Sequence, residues 1–336
     1  MAKLSLFHMA FIVKESVSRS SNNFISNYRR VISLVRQVLS SAVRKKRFDV
    51  ILLSGGIDTS IIAALSAHWK PLAITVVYRN YDEDLPYAKK VANHFGLKHI
   101  IVNFSLDEAR KASEEVISVL KVFDPMEVRN SIPILIGLKV AKSKGVKSIA
   151  TGDGGDELFG GYSWLFHLPQ EQLHKWIKNI VKTWHFSSKP LGDYLDLEVL
   201  QPFTDPDVIE IALKILPSLK VVEVNGKKIG KWILRKAFED IVPKDVIWRS
   251  KSPIEVGSGS TRLSHDFAQL ISDEEYSMLN KQVKLRSKEH AYYFKIYKRV
   301  VGEIPPPKAG EKKCPACGAG VPSWSKFCRV CGEYPV

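Results

Sequence analysis

Three short stretches of this sequence carry residues whose types and spacing suit chemistry. The first is Ser54-Gly-Gly-Ile-Asp-Thr-Ser60, a glycine pair among hydroxyls and a carboxylate. A glycine turn that opens a helix points free N–H groups and the positive end of the helix dipole at one spot, which suits phosphate oxygens. Ser54, Thr59 and Ser60 add hydroxyl donors there, and Asp58 offers an oxygen ligand for magnesium beside the phosphates. No Gly-Lys-Ser/Thr follows, so this is not a Walker A loop. The second stretch, Thr151-Gly-Asp-Gly-Gly-Asp-Glu-Leu-Phe-Gly-Gly-Tyr162, sets Asp153 and Asp156 among glycines at an entropic cost that a plain turn does not need. The third holds every cysteine of the chain, Cys314, Cys317, Cys328 and Cys331. Two Cys-x-x-Cys turns separated by ten residues offer four thiolates to one tetrahedral zinc ion. A structural metal suits a module too small to bury a core. What such a ribbon contacts stays open between nucleic acid, another protein and nothing at all.

The elements that must position these residues follow from the hydrophobic pattern. Residues 22–47 read as an amphipathic helix with a basic end, and residues 48–53 as a buried strand running into the first turn. Further strands are expected at 71–78, 98–104 and 146–151, with helices at 87–95, 106–122 and 132–144 between them. Strands alternating with helices predict an α/β fold, a parallel sheet covered on both faces. Ligands of such sheets bind beyond the carboxyl ends of the strands, where both glycine turns fall. From about 165 to 301 the pattern is mostly helical. Within it, the basic residues from Lys281 to Arg299 interleave with Tyr292, Tyr293, Phe294 and Tyr297, which reads as an amphipathic helix before it reads as an RNA-stacking surface. The expected organisation is an N-terminal extension at 1–21, a main domain at 22–301, a proline-rich linker at 302–311 and the zinc ribbon at 312–336.

Composition narrows the field. The 336 residues are 45% hydrophobic and 25% charged, which is ordinary for a folded chain and unlike a disordered one. No run of about 18 apolar residues spans a bilayer, and no secretory cleavage pattern follows the first residues, so a cytoplasmic protein with no membrane partner is expected. The cysteines leave no disulfide framework for the main domain. Fifty basic residues against 35 acidic ones give a net charge of +15, which favours an anionic partner without choosing it.

The stretch 54–60 resembles the pyrophosphate-binding loop of the N-type ATP pyrophosphatases, and 151–162 is similar, nearly residue for residue, to the signature of the asparagine synthetase family. Supporting matches run through 82–88, Arg129-Asn-Ser-Ile-Pro133, Pro202-Phe-Thr-Asp205, Lys231-Trp-Ile-Leu-Arg235 and Trp248-Arg-Ser-Lys251. The resemblance covers about residues 30–262 and implies an adenine-nucleotide alpha-hydrolase-like sheet with a helical C-terminal half. It implies that Ser54, Gly55, Gly56, Asp58, Thr59, Ser60, Thr151 and Gly152 bind ATP or its pyrophosphate, and that Asp58 and Asp156 hold magnesium. It further implies that Lys251 neutralises charge at the α-phosphate, while Asp153 takes a proton from incoming ammonia. The implied substrates are ATP, aspartate and ammonia, and the implied cofactors are Mg2+ and, at the ribbon, Zn2+.

Two departures from the family stand out. The chain begins Met1-Ala2, without the family's N-terminal cysteine nucleophile and glutaminase domain, so nitrogen is expected from free ammonia or from a separate glutaminase subunit. Where the family places an arginine before its Pro-Phe pair, this chain has Leu200, and its stretch between Tyr162 and Glu198 is short; both bear on the acceptor pocket, for which aspartate is the leading expectation and a tRNA or other macromolecule bound by the ribbon and the basic surface is the alternative.

Overall fold

A computed structural model describes residues 24–81 and 83–336; the expected N-terminal extension lies outside the described residues. At its centre are five parallel strands, β1 (Val50–Leu52), β2 (Leu72–Tyr78), β3 (His99–Phe104), β4 (Ser148–Ala150) and β5 (Glu198–Leu200), in the order β3-β2-β1-β4-β5. The register runs Val50↔Leu72, Val50↔Ile149 and Ile149↔Val199, so β1 lies between β2 and β4. Successive strands step to one side of β1 and then to the other. The crevice between the ends of β1 and β4 is therefore the topological switch point, and both glycine turns leave from it.

The alternation of side chains along the strands divides the interior into two cores. Ile51, Ala73 and Ala150 face one, and Val50, Ile74 and Ile149 face the other. The first core is closed by helices α1 (Tyr28–Arg44), α2 (Ile57–Ser66) and α3 (Leu85–His94). Helix α1 buries Val31, Val35, Leu39 and Val43 at helical spacing, and the Asn27 side chain caps it by accepting from the Arg30 N–H at 3.1 Å. On the other face lie α4 (Leu106–Leu120) and α5 (Pro125–Ser143). The first core is completed by α6 (Gly155–Phe159), α7 (Gln170–Thr183), α9 (Pro206–Lys214) and α10 (Trp232–Phe238), and the second by α8 (Ser188–Tyr194) and α11 (Lys288–Val300). Among the described residues no helix is long and apolar enough to cross a membrane.

One expectation is extended here, one is corrected and one holds. The stretch 165–301 is mostly helical as expected, and it also contributes β5 to the sheet and a hairpin of β6 (Val222–Val224) and β7 (Lys227–Ile229). A three-residue strand with one fully buried side chain has too little alternation to stand out in a sequence. Helix α5 starts seven residues before the expected position, because Asp124 caps it and Pro125 occupies its first turn, while Pro133 is carried inside. Finally, Tyr292, Tyr293, Phe294 and Tyr297 are buried in the second core, so the helical reading of that stretch holds and its aromatics offer no surface for stacking bases.

The ribbon is built on β8 (Glu311–Lys313) and β9 (Gly320–Pro322), with the cysteines in the turns around them. Its four sulfurs are free, buried and within 4.8 Å of one another. Cys314 and Cys331 stand 3.7 Å apart, and Cys317 and Cys328 3.8 Å apart. A tetrahedron with metal–sulfur bonds of about 2.3 Å has edges of about 3.8 Å, so the cysteines fit a zinc ion.

Candidate active site

The first turn leaves β1 and becomes the start of α2. Gly56 is its N-cap and makes no side-chain capping bond, so the first N–H groups of α2 have no side-chain partner of that kind. The Ser54 hydroxyl accepts from the Gly56 N–H at 3.2 Å and lies 3.2 Å from the Thr59 hydroxyl, while Ser60 donates to the Gly56 carbonyl at 2.7 Å. Gly55 has φ +71°, and a β-carbon there would lie 2.4 Å from the Ala88 nitrogen. Only glycine satisfies both the turn and this close approach of α3. Arg249 locks the same turn from outside. Its guanidinium donates to the Gly55 carbonyl at 3.3 Å, pairs with Asp84 at 2.6 Å and lies over the Tyr87 ring.

The second turn brings its carboxylates to the first. Lys231 Nζ stands 2.5 Å from Asp58 Oδ2 and 2.8 Å from Asp156 Oδ1, and Lys251 Nζ is 3.2 Å from Asp156 Oδ2. Two carboxylates and two ammonium groups thus alternate at the switch point. Burial raises the Asp58 pKa. Burial also works against ionisation of Asp156, but the charges of Lys231 and Lys251 outweigh it and hold this carboxyl below its usual range. For Lys231 burial opposes the charge, and Asp156 with Asp58 more than restores it. Asp58 Oδ1 is buried without a hydrogen-bond partner, and Asp156 Oδ1 faces only the Lys231 ammonium at 2.8 Å. Hard oxygen ligands in that condition fit a divalent cation such as magnesium.

Sequence reasoning singled out Asp58, Asp156 and Lys251, and the fold brings them together. It did not single out Lys231, although the matched stretch 231–235 contains it. Lys231 is reached by a left-handed backbone turn, φ 53°, with its N–H donating to the Phe159 carbonyl at 3.1 Å. A residue with a β-carbon spends about 1–3 kcal/mol there, strain that a site can hold when its surroundings fix it. Arg235, one turn along α10, was also missed. It is buried, and it donates to the carbonyls of Gly230 at 2.9 Å, Ile247 at 2.7 Å and Arg249 at 2.8 Å. It therefore ties the backbone of Lys231 to that of the segment leading to Lys251. Buried guanidinium donors of this kind leave no sequence signal beyond the arginine itself.

Asp153 makes no ion pair with either lysine among the described residues. Its Oδ2 accepts from the Thr151 hydroxyl at 2.6 Å, the Ser188 hydroxyl at 2.5 Å and Gln201 Nε2 at 3.0 Å. Among the described residues no hydrogen bond reaches Oδ1. Ser188 and Gln201 come from α8 and the end of β5, which sequence reasoning did not connect to this site. Glu127, on the first turn of α5, is a further carboxylate of this side. Burial pushes its pKa up to about 7, with Asp124 and Asp153 adding to the shift and Arg329 opposing it.

That shift has a stability consequence. Below the ordinary value of 4.5 both folded and unfolded chains hold the proton and nothing is lost, whereas above about 7 the buried charge weighs fully against the fold. Glu127→Gln is therefore expected to stabilise the protein by about 2 kcal/mol at pH 8, less than the full shift implies because the side chain is only half-buried, and to change nothing at pH 4. Urea midpoints at the two pH values check this.

A family model described as asparagine synthase matches residues 34–196 and 170–297. A probable asparagine synthetase (glutamine-hydrolyzing) of Schizosaccharomyces pombe is 32% identical over 285 residues, taking in 73% of this chain and 51% of that protein. Asparagine synthetase (glutamine-hydrolyzing) 1 of Arabidopsis thaliana is 30% identical over 295 residues, 79% of this chain and 50% of that protein. The chain spans about half the length of the curated relatives it matches. Among solved structures, NMN synthetase from Francisella tularensis aligns with a TM-score of 0.35 and 12% identity, over 84% of this chain and 99% of that one.

Proposed function

Because the chain belongs to the asparagine synthase family, we propose that this site splits ATP between its α and β phosphates to activate a carboxylate, with aspartate as the acceptor, and then transfers ammonia to it. The observation that carries this reading is the alternation of Asp58, Lys231, Asp156 and Lys251 between two glycine turns at the switch point. Such a cluster can grip a polyphosphate and meet the charge that moves along it when one phosphoanhydride bond breaks.

The steps follow from the groups in place. The first N–H groups of α2, Gly152 and the hydroxyls of Ser54 and Thr59 receive the leaving pyrophosphate, while Ser60 and Thr151, whose hydroxyls donate to the Gly56 carbonyl and to Asp153, hold the two turns around it. Asp58 and Asp156 are the residues that would hold magnesium, which supplies charge neutralisation on the phosphates. Lys251, which reaches in from the solvent side to pair with Asp156, meets the α-phosphate as the acceptor carboxylate attacks it and pyrophosphate departs. The product is an acyl-adenylate. Ammonium must lose a proton before it can attack that acyl carbon, and Asp153 Oδ1 is the oxygen left to take it. Attack by ammonia then expels AMP and leaves the amide. Leu200, where the family carries an arginine, removes one cation from the acceptor side, so the acceptor is the point to test.

The test is pyrophosphate release from ATP with magnesium and ammonium, comparing aspartate, other small carboxylates and bulk tRNA. Release with aspartate, together with asparagine and AMP, supports the reading. Release with another carboxylate alone moves the acceptor, and release driven only by tRNA replaces the small-molecule reading. Because ammonium is supplied directly, the outcome does not depend on how nitrogen is delivered.

A further inference from the structure

The ribbon is tied to the main domain at the points that hold the acceptor side of the site. Its Val330 carbonyl accepts from the Phe123 N–H at 2.7 Å. Arg286 donates to the Gly332 carbonyl at 2.8 Å and the Cys331 carbonyl at 3.0 Å, and reaches Asp124 Oδ1 at 3.4 Å. Asp124 caps α5 by accepting from the Met126 N–H at 3.3 Å, and the helix start so fixed carries Glu127 and Arg129. Gly332, with φ +77°, permits the approach, since a β-carbon there would lie 2.1 Å from Asp124 Oδ1. On the other side Arg329 donates to the Thr183 carbonyl at the end of α7. Five residues further on, Ser188 holds Asp153.

We propose that the four-cysteine ribbon is a positioning element for the acceptor side of the active site, acting through Arg286 on the start of α5 and through Arg329 on the segment 183–188. The proposal rests on the reading of Asp153 as an acceptor-side carboxylate. The physical chain is continuous. A metal held by the four sulfurs sets the shape of the second Cys-x-x-Cys turn, and the carbonyls of that turn are the ones Arg286 grips. The ribbon's inner face is committed in the same way, since its cysteines, Ala316, Ala319 and Val321 share one core with Phe123, Phe294 and Tyr297. Burial raises the Glu127 pKa and lowers that of His185, and the Arg329 charge opposes the first shift and adds to the second, as a cation near both groups must.

The test compares the 336-residue parent with Arg286→Ala and Arg329→Ala, measuring zinc content, hydrogen exchange and kinetics. Both variants are expected to retain bound zinc. Amides in 124–131 should exchange about tenfold faster in Arg286→Ala and those in 183–190 about tenfold faster in Arg329→Ala, while 54–66 is unchanged. The KM for the acceptor should rise by about tenfold with the KM for ATP within about twofold, and Arg286→Lys should not restore it, because lysine cannot reproduce the forked contact. Unchanged exchange in both segments, or equal acceleration that includes 54–66, overturns the proposal. Hydrogen exchange needs no turnover, so a parent enzyme that activates no carboxylate refutes the functional reading while the positioning role is still decided.

Discussion

Replacing Lys231 with methionine is expected to lower pyrophosphate release by about 10³-fold or more, and to destabilise the protein by about 3–5 kcal/mol when magnesium is absent. The lysine is buried between Asp58 and Asp156, and its removal leaves two carboxylates facing each other with only the half-exposed Lys251 to answer them. A buried pair broken from one side is costly because the remaining charge has lost its solvent and its partner. Two comparisons separate the structural effect from the chemical one. The double variant Lys231→Met/Asp58→Asn removes one charge of each sign and should recover most of the stability without recovering activity. Asp58→Ala alone should abolish pyrophosphate release and keep the fold, since Lys231 retains Asp156 at 2.8 Å. Normal turnover in either single variant would take this cluster out of the mechanism.

The second large effect is expected at Arg235, which touches no substrate. Arg235→Ala should cost about 3–5 kcal/mol, because the carbonyls of Gly230, Ile247 and Arg249 lose their donor inside the protein. It should also slow turnover by about 10²-fold by releasing the segment that carries Lys251, since misplacement of a catalytic group by an ångström costs about that much. Arg235→Lys should recover little, because a single ammonium cannot span three carbonyls held by a planar fork. Thermal melts and steady-state kinetics on the same preparations decide it: a stable variant with full activity leaves Arg235 without a role in the site.

How far the site was legible depends on what each residue does. Residues that act through the backbone they sit in announce themselves. Ser54 to Ser60 and 151–162 place glycines, hydroxyls and carboxylates in a fixed order, and a chemistry could be proposed for them before any fold was known. The four cysteines are similar, since a tetrahedron of thiolates needs only two short turns. Residues that act across the chain do not announce themselves. Lys231 is one lysine among many until α10 carries it between Asp58 and Asp156, and Ser188 and Gln201 are ordinary polar residues until α8 and β5 aim them at Asp153.

The same distinction runs through the fold. Periodicity and turn chemistry, which are local, determined the alternation of strands and helices and hence the parallel sheet with its site at the strand ends. Strand β5 escaped because its three residues pair by register with Ser148, Ile149 and Ala150, which is a long-range fact. What only the tertiary structure decided is where charges meet and what the ribbon rests on. A buried ion pair or a hydrogen bond from Arg286 to a ribbon carbonyl depends on distances between segments far apart in the chain, and no local pattern of residue types encodes such a distance.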